Sequence, residues 1–157
     1  MSSKIQELVE QIKSRRQAWD NQLAAIPLER WEEPLEPGGW SLKDITAHIT
    51  WYEREVIPAL LTHVMEGSEL WELPLEERNQ VIYQQNKDRP QAEVLAESRE
   101  VFPRFTQAVA SLEDADLEDP SRFQYMPAEW KPVDLITSNS TKHYKDHLAQ
   151  VHTWLGK

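Results

Sequence analysis

The stretch SLKDITAHITWYEREVIPALL, residues 41–61, carries Ile45, Ile49, Tyr52, Val56 and Leu60 at steps of three and four. That spacing lays one apolar stripe along an α-helix. Ser41 is a good N-cap, and Asp44, three residues on, can return a bond to the cap or favour the helix start electrostatically. The stripe predicts a helix that reaches Gly67 at its far end. Pro58 lies inside the pattern and is expected to kink or divide it. His48 falls between Ile45 and Ile49, on the inward side of this helix.

The same period recurs on both sides. Residues 3–26 place Ile5, Leu8, Val9, Ile12, Trp19, Leu23 and Ile26 at helical spacing, with the isolated pair Arg15 and Arg16 among mixed charges. Pro27 and EEPLEPGG end that helix in an acidic connection. Between Gly67 and Pro90 the pattern is weaker, and PLEERNQVIYQQN predicts one short helix anchored by Leu75, Val81 and Ile82. A third long helix starts near Asp88 and Pro90 and carries Val94, Leu95, Val101, Phe102, Phe105 and Val109, with a bend expected at Pro103. After an acidic, Pro-containing loop, a fourth opens at Pro132, a favoured first-turn position. It runs through Ile136, His143, Tyr144, His147, Leu148, Val151 and Trp154.

No segment alternates with period two between turn signals. The expectation is therefore an all-α chain: one four-helix bundle domain over residues 1–157, with an extra short helix between helices two and three. The motifs WSLKDI at Trp40 and WKPVDL at Trp130 share Trp, an Asp four residues on and an aliphatic residue, which common N-terminal chemistry explains as well as duplication does.

Composition excludes several function classes. A net charge of −10 with no basic run speaks against a nucleic-acid partner. The absence of cysteine removes disulfides and thiolate chemistry by the protein itself. No apolar run near 18 residues could span a membrane, and the amino end lacks a secretory pattern. The expectation is a soluble, cytoplasmic protein, and a bundle of this size is compatible with a homodimer.

The informative feature is STKHYKDHLAQV, residues 140–151, where His143 and His147 stand one helical turn apart. Residues four apart share a helix face, so two imidazoles so placed can converge on one metal ion. His48 is the natural third ligand if helices two and four meet in the core, and three protein ligands are common in open catalytic sites. His63 lies about 22 Å along the helix from His48, and His152 points well round from the pair, so both are expected at the rim. A single inward histidine is more often a hydrogen-bonded core residue, and H-x-x-x-H recurs by chance. Around the triad, Asp44 and Asn139 each stand four residues before a histidine and could accept a ring N–H, although capping is the stronger role for Asp44. Tyr52 could donate a proton or contact substrate, and Trp51 and Trp154 could wall a pocket. No residue declares itself catalytic.

GGWSLKDITAHITWYE together with NSTKHYKDHLAQVHTWL resembles the DinB/YfiT-like superfamily of helical-bundle metalloenzymes, from about Trp40 to the end. That family carries one histidine in its second helix and an H-x-x-x-H pair in its last, the places held by His48, His143 and His147. The resemblance implies a divalent metal, zinc or nickel foremost, and a small-molecule substrate. It implies either hydrolysis or transfer of a low-molecular-weight thiol to an electrophile. ERNQVIYQQN, EVLAESREVF and SNSTKHYKDH are also similar to the ClbS/DfsB branch, whose members often lack the full triad. That similarity implies the alternative of a toxin-protection or binding protein without a functional metal.

Overall fold

The computed structural model describes residues 3–156. Its helices are α1 (Lys4–Ala24), α2 (Leu42–Thr62), α3 (Leu75–Asn86), α4 (Gln91–Ala110), α5 (Pro132–Ser138) and α6 (Thr141–Trp154), with short 3₁₀ turns between them. No strand is present among the described residues; Val64 and Gln124 form one isolated bridge. The chain is all-helical, as its periodicity predicts, and α3 is the extra short helix between the second and third long ones.

Each long helix begins or packs for a local reason. Ser3 and Gln6 make a reciprocal capping box at α1, and Ser41 and Asp44 make another at α2. The α1 stripe Ile5, Leu8, Ile12, Trp19 and Leu23 is buried against α4 and α6. Helix α2 is the central element, packed on α4 along one side and on α3 along another. It is therefore covered almost all round, and Thr46, Thr50 and Glu53 are buried along with Ile45, Ile49 and Leu60. Thr50 resolves its hydroxyl by donating to the Thr46 carbonyl at 2.9 Å.

Three expectations about boundaries need correction. Helix α2 stops at Thr62, short of Gly67, because His63 adopts a left-handed conformation (φ 58°, ψ 31°) as its C-cap. A non-glycine residue there is disfavoured by roughly 1–2 kcal/mol. Stacking of its ring on Phe123 and a 3.3 Å contact of Nε2 with Asp116 hold it in place. Of the two outcomes expected at Pro58, the split does not occur, since α2 runs through it, and α4 likewise runs through Pro103.

The last predicted helix is in fact two. Asn139 and Ser140 leave helical geometry (Ser140 φ −139°, ψ −95°), so α5 ends and α6 begins afresh. The Ser138-Asn139-Ser140 run offers the backbone competing side-chain partners. Ser140 Oγ donates to the Ile136 carbonyl at 2.6 Å and Asn139 Nδ2 to that of Leu135 at 2.8 Å. The break re-aims α6, and with it the H-x-x-x-H pair.

Candidate metal centre

His48 reaches the centre from α2, His143 and His147 from α6. One ring nitrogen of each lies within 4.8 Å of those of the other two. The ring centroids are 4.8 Å apart for His48 and His143, 5.2 Å for His48 and His147, and 4.7 Å for His143 and His147. His48 Nε2 and His143 Nε2 are 2.9 Å apart, a hydrogen bond in which one ring donates to the other. The structure thus brings together the three rings that sequence spacing selects.

All three rings are held neutral. Burial, then the adjoining His143 and His147, lowers the His48 pKa to about 2. Burial and His147 lower that of His143 to about 3. Burial also lowers that of His147, against the opposing pull of Gln150 and Asp146. Neutral imidazoles are the form that ligates a metal.

The donor set fits a divalent ion. In a tetrahedron with bonds of roughly 2.0–2.1 Å, adjacent ligand atoms stand about 3.3 Å apart. His48 and His143 need to part by only a few tenths of an ångström. Outer support is less complete. Ligating histidines ordinarily donate their second N–H to an acceptor. His147 Nδ1 has Gln150 Oε1 at 3.1 Å, whereas Nδ1 of His48 and of His143 are buried with no partner among the described residues.

The rings form part of the wall of a cavity of about 1290 Å³ between α2, α3, α5 and α6. Trp40 packs at 5.0 Å on His48 and stacks on Tyr83, closing one side. Tyr52 meets both His48 and His143 edge to face, and its hydroxyl donates to Asn79 Oδ1 at 2.6 Å. Burial raises the Tyr52 pKa, with Arg78 partly opposing, so the phenol stays protonated at neutral pH.

Asp44 binds Ser41 through its backbone N–H (3.0 Å) and hydroxyl (2.9 Å), the helix-capping role, and makes no hydrogen bond to His48. Asn139 lines the cavity without bonding to His143. Trp51 and Trp154 do not wall the cavity. Trp51 is buried against Tyr52 and Trp71, while Trp154 lies against the core beneath the Arg30 guanidinium. The aromatic wall is instead Trp40, Tyr52, Trp71 and Trp130. His152 contacts Gln22, away from the centre.

Sequence reasoning missed Asn79 and Arg78, which sit on the weakly patterned α3. It also missed a buried polar cluster elsewhere in the bundle. Arg16 Nη1 donates to Glu53 Oε2 at 2.7 Å and Arg16 Nη2 to Ser98 Oγ at 2.7 Å, and the Tyr144 hydroxyl donates to the same Glu53 oxygen. Burial raises the Glu53 pKa, with Arg16 and Tyr144 pulling it back down.

A sequence model described as the DinB superfamily matches residues 11–151. An uncharacterised protein from Escherichia coli UTI89 superposes with a TM-score of 0.76 at 17% identity, over 98% of this chain and 94% of that one. A Streptococcus pneumoniae protein superposes with a TM-score of 0.80 at 14% identity, over 99% and 92%. At such identities the likeness is one of fold. No curated protein matches the sequence.

Proposed function

The chain belongs to the DinB superfamily, and from that premise we propose that it is a metal-dependent enzyme acting on a small electrophilic molecule. His48, His143 and His147 are the ligands of a divalent ion, zinc or nickel, both of which imidazole suits. The observation that carries this reading is the convergence of three neutral imidazoles on the wall of a large cavity. When bound, such an ion supplies Lewis acidity that makes water, or a low-molecular-weight thiol, a competent nucleophile at neutral pH. Hydrolysis and thiol S-transfer both follow from that chemistry.

The chain's own residues have definite roles in this reading. Tyr52, protonated and oriented by Asn79, is a hydrogen-bond or proton donor toward the substrate rather than a base. The Trp40–Tyr83 stack keeps water from the His48 side. Gln150 fixes the His147 ring by accepting from Nδ1–H, which leaves Nε2 for the ion.

Metal analysis of protein purified without chelators, and again after reconstitution, tests the proposal. About one ion per chain is expected, lost in His48→Ala and His143→Ala proteins that remain folded. No metal before or after reconstitution would sink it.

One observation favours a second reading, a ClbS/DfsB-like protective protein that holds its small molecule without a functional metal: the unpartnered Nδ1 atoms of His48 and His143. In that case ligand raises the melting temperature with no product formed and no metal required.

A further inference from the structure

The cavity wall is electrically unbalanced. Glu55, Glu66, Glu72, Glu129, Asp134 and Asp146 border it, and none of them forms an ion pair among the described residues. The cations bordering it are mostly engaged. Lys131 pairs with Glu118 at 3.4 Å. Arg78 donates to the carbonyls of Leu70, Trp71 and Leu73 and lies 4.9 Å over the Trp71 ring. Neither Arg78 nor Lys142 has an acidic partner among the described residues, so these two unpaired cations stand against six unpaired carboxylates. Carboxylates are common on a protein of net charge −10 and by themselves identify nothing.

Two independent features give the imbalance a meaning. Asn139 is 7% exposed and faces the cavity. Its Nδ2 is used by Leu135, but its Oδ1 has no donor among the described residues and is not sealed away. It is an inner-wall acceptor awaiting an N–H or O–H. At the mouth, Trp130 is 46% exposed, and no cation among the described residues covers its ring. Glu129 precedes it and Asp134 follows in the first turn of α5, both on the same cavity. An indole face attracts a cation through its quadrupole, and carboxylates around a cleft raise the local concentration of cations.

We infer that this cavity selects a cationic, amphipathic small molecule, an amine- or amidine-bearing compound with an aromatic or branched apolar body. The positive group sits at Trp130 between Glu129 and Asp134. The apolar body packs on Trp71 and Trp40, and a donor group meets Asn139 near the histidines. The volume exceeds the few hundred Å³ of a minimal ligand site, which leaves room for both parts. The inference rests on the proposed reading of this cavity as the substrate site. It makes a polyanionic substrate the wrong class.

Three probes of one shape and different charge test it: naphthylmethylammonium, naphthylmethanol and naphthoate, titrated by calorimetry at low salt. Chelator-treated protein is used, so that no ion can recruit the carboxylate. The ammonium is expected to bind at least about tenfold tighter than the alcohol, with the carboxylate weakest. In the Glu129→Gln/Asp134→Asn double variant, whose changes lie on the surface, that advantage should fall to about twofold. Trp130→Ala should weaken the ammonium more than the alcohol. The inference is overturned if naphthoate binds as well as the ammonium, if the double variant keeps the full preference, or if none of the probes binds up to its solubility limit. The His143→Ala protein is expected to keep the charge preference. A failure of metal binding and a failure of cation selection are thereby read separately.

Discussion

His48 and His143, separated by 95 residues in sequence, bring their Nε2 atoms to 2.9 Å inside the bundle. Whichever ring donates, the other carries its proton on Nδ1, which is buried without an acceptor. On the proposed reading an ion would take the lone pairs of both Nε2 atoms in place of that hydrogen bond, and both rings would then carry their protons on Nδ1. His143→Ala is expected to weaken zinc or nickel binding by more than roughly 100-fold, since even outer-sphere losses cost ten- to a hundredfold. Competition against a chromophoric chelator measures this, with far-UV circular dichroism verifying that the helices persist.

Arg16 is 3% exposed and Glu53 fully buried, and they pair at 2.7 Å between α1 and α2. Removing one partner strands the other's charge in the core, which costs about 3–5 kcal/mol, whereas an apolar pair of similar size can be neutral. Glu53→Leu and Arg16→Met singly are expected to lower urea stability by about that amount. The double variant should recover most of the loss. Equal losses in the double and single variants would show that packing, not charge, holds this cluster.

How far the sequence could be read follows from where side-chain pattern and backbone agree. The α2 helix was legible because its cap, its stripe and its histidine all lie within one continuous period. The α5–α6 break was not, since the apolar stripe continues from Ile136 to Tyr144 across Asn139 and Ser140. The signal was the Ser-Asn-Ser run, whose side chains compete for backbone carbonyls. Arg16 also lay in view, four residues after Ile12 and three before Trp19, on the buried stripe itself. Glu53 stands likewise between Ile49 and Val56. Opposite charges at two such positions are a pairing signal that helical periodicity alone does not register. The cavity wall was least legible, because α3 has few buried anchors and its role depends on packing against α2.

Asp44 is placed to separate capping from metal support. Its carboxylate accepts from Ser41 N and Oγ and not from His48. Asp44→Ala is therefore expected to cost about 1 kcal/mol of stability, the usual value of a cap, and to leave metal affinity within about twofold. Gln150→Leu should do the reverse, lowering affinity about ten- to a hundredfold through the freed His147 ring. Paired thermal melts and metal titrations distinguish the two. A large affinity loss in Asp44→Ala would reassign it to the metal centre.

Asp116 should dominate the acid side of the stability profile around the His63 cap. Burial opposes its ionisation, but hydrogen bonds from Arg122 Nε (2.6 Å), the Glu113 backbone N–H (2.7 Å) and His63 outweigh this and lower its pKa below the ordinary 3.8. A carboxyl whose folded pKa lies below its unfolded one binds fewer protons when folded. Its contribution is full above the ordinary value and is lost as pH falls through the folded one. Relative to Asp116→Asn, the wild-type protein should show a constant advantage in melting temperature above about pH 5, shrinking steadily below about pH 4. A gap that stays constant down to the acid limit would mean that the Arg122 and His63 contacts act through shape rather than charge.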